Sequence, residues 1–135
     1  MYRFLDRPVS ALAERETLVL RALRDWTLAL HRGRCPVDAV TLRFLSHRCV
    51  GGIEPFHDVM TLLGKHGRTR FELACPCSHR VTESEAMLLA LFLPPGGLAG
   101  DSSRQLAALA CPRQHGRIAE GLASFRSALT LSGFA

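Results

Sequence analysis

At 135 residues, with 47% hydrophobic and 21% charged side chains, the chain suits one domain with a proper core and is too apolar for general disorder. Its formal net charge of +5 rests on arginine, since Lys65 is the only lysine, and the charges are scattered along the chain, which excludes a polybasic tail. The longest apolar run, Ala86 to Leu93, is far short of a bilayer crossing, and no apolar stretch follows the charged start Arg3, Asp6, Arg7, so no contact with a membrane and no secretory leader is expected. The expectation is a cytoplasmic protein whose five cysteines are reduced, and their odd number argues against a closed disulfide framework.

The first helix is expected from about Ser10 to His31, with Val19, Ala22, Leu23, Trp26, Ala29 and Leu30 on one face and Arg15, Arg21, Arg24 and Asp25 off it. Gly33 stops it. A second helix opens at Pro36, a residue that loses no hydrogen bond at the first helical position. Its buried face is Val37, Val40, Phe44 and Leu45, and Gly51-Gly52 ends it. A third helix runs from about Pro55 to Lys65, with Phe56, Val59, Met60 and Leu63 inward.

Residues Arg68 to Ala74 alternate polar and apolar, which predicts a short strand, and Arg80-Val81 is read as its return partner across a Cys-Pro-Cys turn. Thr82-Glu83-Ser84-Glu85 is a capping box: Thr82 caps the amide three residues on and Glu85 reaches back. The helix after it is apolar all round and so belongs at the centre of the core, until Pro94-Pro95-Gly96-Gly97 breaks it. A weaker capping pattern, Ser102 with Gln105, predicts a short helix through Ala110. The last helix carries the stripe Ile118, Leu122, Phe125 and Leu129, read as core, with a homodimer or partner face as the alternative. With few aromatics, the core is expected to be Leu, Ala and Val. The whole is one domain over residues 1–135 of the all-α (α-rich) class, an orthogonal bundle of about six helices with a small β-hairpin near residues 69–81.

The densest chemistry is at Cys75, Cys77 and His79. In an extended segment, residues two apart project to one side, so these three side chains are expected to converge. Cys111 and His115, one helical turn apart, are placed to complete a shell. A closed zinc site needs four nitrogen or sulfur ligands at about 2.0–2.3 Å. The residues predict a structural Zn site of Cys75, Cys77, His79 and Cys111, with His115 as the spare ligand, pinning the hairpin to the C-terminal helices. The same thiols allow a redox reading, in which Cys75 and Cys77 form a C-x-C pair and His79 and Arg80 favour the thiolate.

Three of the five cysteines precede proline: Cys35-Pro36, Cys75-Pro76 and Cys111-Pro112. This pattern resembles short heme-regulatory motifs, and the resemblance implies heme ligated by a thiolate. Proline at a helix start explains Pro36 and Pro112 without any ligand.

Helix, glycine turn, helix, hairpin and helix is also the element order of a winged helix-turn-helix, a nucleic-acid reader. The exposed start of the candidate recognition helix, however, carries Glu54 and Asp58, and only His57, Lys65 and His66 approach phosphate there. No phosphate-binding glycine loop, nucleophile elbow or zinc-protease helix is present. The sequence therefore predicts a non-enzymatic cytoplasmic binding or regulatory protein with a zinc site. The alternatives are a winged-helix DNA-binding regulator without metal and, third, a thiol redox or heme sensor.

Overall fold

The computed structural model describes residues 4–66, 73–94, 106, 109–110 and 112–133. It is helical. Five α-helices are described: α1 (Glu14–His31), α2 (Pro36–Ser46), α3 (Ile53–His66), α4 (Glu83–Phe92) and α5 (His115–Leu131). No helix among the described residues is long and apolar enough to cross a membrane.

α1 begins later than its periodicity suggests. Val9–Ala11 form a separate 3-10 turn, and the Glu16 carboxylate accepts from the Ala13 amide at 2.8 Å, which fixes the helix start there. It ends as expected, at Gly33 with φ +67°. Two residues break the pattern read from sequence. Leu30 is exposed, and Arg24, placed off the apolar face, is 1% exposed.

α2 starts at Pro36 but stops at Ser46, short of the glycines. Arg48 takes a left-handed conformation, φ +55°, and the Cys49 amide returns to the Phe44 carbonyl at 2.8 Å. Val40 and Phe44 face inward, while Leu45 lies outward. Gly51 and Gly52 belong to a 3-10 turn, Val50–Gly52, that feeds straight into α3. α3 therefore starts two residues before Pro55, which sits in a first turn whose amides have no helical partner to lose.

α4 lies at the centre of the core, with Ala86, Leu88, Leu89, Ala90, Leu91 and Phe92 all buried. A helix buried over most of its surface needs its end groups satisfied by protein. The predicted capping box does so at the start: Thr82 Oγ1 accepts from the Glu85 amide at 3.2 Å and Glu85 Oε1 from the Thr82 amide at 2.9 Å. At the other end Arg126 of α5 donates to the carbonyls of Leu91 (2.6 Å) and Phe92 (3.0 Å).

α1 packs along α2 and against α4, and α3 packs along α5. The stripe Ile118, Leu122, Phe125 and Leu129 is buried within the molecule, so it is core and not a partner face. Four phenylalanines, Phe44, Phe56, Phe92 and Phe125, pack ring to ring with centroids 5.3–6.0 Å apart. The middle of the core is thus aromatic, contrary to the expectation from composition. A sequence with few rings can still place them together. Trp26 is buried and its indole N–H donates to His57 Nδ1 at 3.1 Å, joining α1 to α3.

No strand is formed among the described residues; Pro8 and Arg80 make an isolated antiparallel bridge. The expected return arm at Arg80-Val81 takes its partners from the N-terminal segment. Asp6 N–H donates to Val81 O, Val81 N–H to Arg7 O, and Val9 N–H to His79 O, at 2.8–3.0 Å. The other arm of the expected hairpin, residues 69–72, lies outside the described residues, as does most of the expected 102–110 helix, of which Leu106 and Leu109 are helical and buried.

Candidate functional site: a clipped dithiol loop

The loop between α3 and α4 is held from beneath by one ion pair. Arg24, in the middle of α1, donates from Nε to Glu85 Oε2 at 2.7 Å and from Nη2 to Glu85 Oε1 at 2.9 Å. Glu85 Oε2 also accepts from the Ala74 amide at 3.0 Å. Arg24 also donates from Nη1 to the Ser78 carbonyl and from Nη2 to the Arg80 carbonyl, both at 2.9 Å. The two side chains therefore fasten the loop at Ala74, Ser78 and Arg80. Burying such charges is tolerable only when every donor and acceptor is used. Burial alone raises the Glu85 carboxyl, but the Arg24 hydrogen bond and the Thr82 and Ala74 amides outweigh it and hold the group below its ordinary range.

Between these fastenings Cys75, Pro76 and Cys77 stand exposed. The Ser78 amide donates to the Cys75 carbonyl at 3.0 Å, closing a β-turn with Pro76 at its second position, where its fixed φ is favoured. The turn brings Cys75 Sγ to 2.9 Å from Cys77 Sγ. The segment is thus bent, not extended, and the alternation expected to carry positions 75, 77 and 79 to one side does not apply.

The two thiols are unequal. The Cys75 pKa is lowered, first by a hydrogen bond from the Cys77 thiol, then by the amides of Cys77 and Ser78 and the charge of Arg24. Cys77 is raised, first by that same hydrogen bond, which it gives up on ionising, and then by the Cys75 charge. Loss of a proton from the pair is thus eased at Cys75, with the Cys77 thiol as donor to it, and an eased ionisation makes a cysteine more nucleophilic.

The other expected ligands are placed differently. His79 is exposed, its carbonyl bound to Val9, and it lines a cleft beside Cys77 without joining the sulfurs. Among the described residues no group of three or more His, Cys, Asp or Glu side chains is arranged to hold a metal ion. His115, at the start of α5, has Nε2 2.8 Å from the Ala110 carbonyl. Cys111 lies outside the described residues. Cys35 is exposed ahead of Pro36; Cys49 is buried, and burial pushes its thiol up.

The cleft beside Cys77 measures about 670 Å³ and is bordered by Pro8, Ser10, Thr17, Arg21 and His79. Among the described residues no carboxylate lines it. A second groove, between α3 and α5, is of mixed sign, with Glu54, Asp58 and Glu120 facing Lys65 and Arg117. It covers the exposed side of the helix that a winged-helix reader would lay on DNA.

Arg24 and Arg21 are the site residues that sequence reasoning passed over. Arg24 does follow buried Leu20 by four positions, a spacing that puts both on one face and could have flagged it. Nothing in the sequence marks Arg21. No protein-family model matches the chain, and neither a characterised protein nor a solved structure matches it.

Proposed function

We propose that this is a non-enzymatic regulatory protein whose working part is the Cys75–Cys77 dithiol, a pair that interconverts with its disulfide and reports thiol redox state. The distance between the two sulfurs, 2.9 Å on an exposed turn, carries this reading. A thiolate beside a thiol is arranged for attack and resolution, and the clip beneath supplies a fixed platform. Oxidising the folded protein with a low-molecular-weight disulfide and mapping its peptides tests the proposal. A Cys75–Cys77 cross-link, with the loss of two hydrogens, is the expected product. Two independently modified or unmodified cysteines in that peptide would overturn it.

Zinc held by Cys75, Cys77 and His79, closed by Cys111 with His115 in reserve, is the second reading. His115 favours it: a ring nitrogen fixed on a backbone carbonyl is how ligating histidines are oriented. Two thiolates on one tetrahedral zinc stand about 3.8 Å apart, so the pair would open by nearly 1 Å to take the ion. Elemental analysis of protein purified without a histidine tag separates the readings, since a stoichiometric metal would hide the thiols until chelated. The mixed charge of the α3–α5 groove weakens the DNA-binding alternative.

A further inference from the structure

We infer that the cleft beside Cys77 is the seat of the dithiol's exchange partner, and that this partner is a low-molecular-weight thiol or disulfide bearing a free carboxylate. The inference rests on the redox reading above and adds the chemical class of its substrate.

Three observations carry it. Cys77 and Pro76 line the cleft, so a molecule seated there lies against Cys77, whose sulfur is 2.9 Å from that of Cys75. Arg21 stands on its wall with the imidazole of His79 also lining it, and among the described residues no acid opposes the guanidinium. The Arg21 guanidinium and the Ser10 hydroxyl have no hydrogen-bond or ion-pair partner among the described residues, whereas Arg24, about one turn further along α1, has each of its three side-chain nitrogens engaged. A half-buried guanidinium with free donors suits a planar carboxylate. The α3–α5 groove lacks this character, because its acids oppose an anion.

The exchange balances as follows. The Cys75 thiolate attacks one sulfur of the bound disulfide RSSR, breaking its S–S bond and releasing RS⁻, which takes a proton from solvent. Cys77 then loses its proton and attacks the Cys75 sulfur of the mixed disulfide, expelling the second RS⁻, which is protonated in turn. Two electrons pass from the protein dithiol to the disulfide, giving one protein disulfide and two RSH. Arg21 touches only the carboxylate of R, so it acts on binding and not on the sulfur chemistry.

The test compares three oxidants at low ionic strength on the reduced full chain: glutathione disulfide (anionic), bis(2-hydroxyethyl) disulfide (neutral) and cystamine (cationic). Formation of the Cys75–Cys77 disulfide is followed by acid quenching and mass spectrometry. Arg21→Gln is expected to slow the reaction with glutathione disulfide about fivefold while leaving the neutral oxidant unaffected. Arg21→Lys keeps most of the rate. Arg34→Gln, which removes the same charge beyond the far end of α1, leaves all three rates unchanged. Added salt erases the difference. Equal effects of Arg21→Gln on all three oxidants, or none on any, would overturn the inference while the redox reading stood. Absence of the disulfide with every oxidant would instead overturn the redox reading, and this inference with it.

Discussion

Arg24 and Glu85, sixty-one residues apart in sequence, meet at 2.7 Å with 1% and 0% of their side chains exposed. Their pairing joins the middle of α1 to the first turn of α4 and holds the thiol loop between them. Removing one partner leaves a buried charge without its counterion and frees the amides and carbonyls of the loop. Glu85→Ala or Arg24→Ala should therefore cost about 3–5 kcal/mol in urea unfolding. The double variant should cost much less than the two singles added together, because the second removal no longer strands a charge. Additive costs would show that the contact contributes nothing of its own.

The same pair gives the stability a defined acid limb. The folded-state pKa of Glu85 lies below that of the unfolded chain, so the unfolded state binds more protons as the pH drops. Its contribution is present in full above the ordinary carboxylate range and is lost as the pH falls through that range toward the lower folded value. The urea midpoint should be insensitive to this group between about pH 6 and 8 and should decline below about pH 4.5. Glu85→Gln, less stable throughout, should show a shallower decline. An acid limb of unchanged slope in that variant would assign it to other carboxylates.

Much of the architecture could be read from residue spacing. The α4 capping box, the apolar turns that follow it and the α5 stripe all form as periodicity and capping rules dictate, because each depends on neighbours within one or two turns. What spacing did not yield is tertiary. Residue spacing sets Arg24 off the apolar face of α1; its burial depends on Glu85, on a distant helix. The pairing of Arg80-Val81 with Asp6–Val9 joins segments more than seventy residues apart, and local alternation favoured the nearer arm. The Cys75–Cys77 contact was legible as a motif but not as a geometry. The turn at Pro76 sets the sulfur separation, which an extended reading of the same residues does not give.

The packing of α3 on α5 depends on a residue with no side chain. A Cβ built at Gly121 would lie 2.7 Å from Val59 Cγ2 and 3.7 Å from the Pro55 carbonyl oxygen. Val59 is fully buried and β-branched, so it has no flexible end to move aside. Gly121→Ala gains helix propensity of about 1 kcal/mol but overpacks at a cost of about 1–3 kcal/mol, so a net loss of about 1 kcal/mol is expected. Adding Val59→Ala should make Gly121→Ala stabilising in that background, because the contact is gone. Thermal unfolding of the four proteins in the cycle measures it, and the same loss from Gly121→Ala in both backgrounds would count against a close helix contact.

The inequality of the two thiols should appear directly in their chemistry. Only the thiolate reacts with iodoacetamide, so a cysteine whose pKa is lowered is alkylated faster near neutral pH. With the reagent limiting at pH 7, Cys75 should be modified ahead of exposed Cys35 by about threefold or more, and Cys49 should stay unmodified until the protein unfolds. Cys77→Ala removes the main source of the lowering, the S–H donated to Cys75, and should bring the Cys75 rate down toward that of Cys35. Cys75→Ala should make Cys77 easier to ionise, since the charge that opposes its ionisation is gone and no neighbouring thiolate requires its proton. Peptide mapping after short labelling times reads these four of the five cysteines at once. Equal labelling of Cys75 and Cys35 in the unsubstituted protein would mean that the two sulfurs, though adjacent, do not share a proton, and the case for Cys75 as the attacking thiol would fall with it.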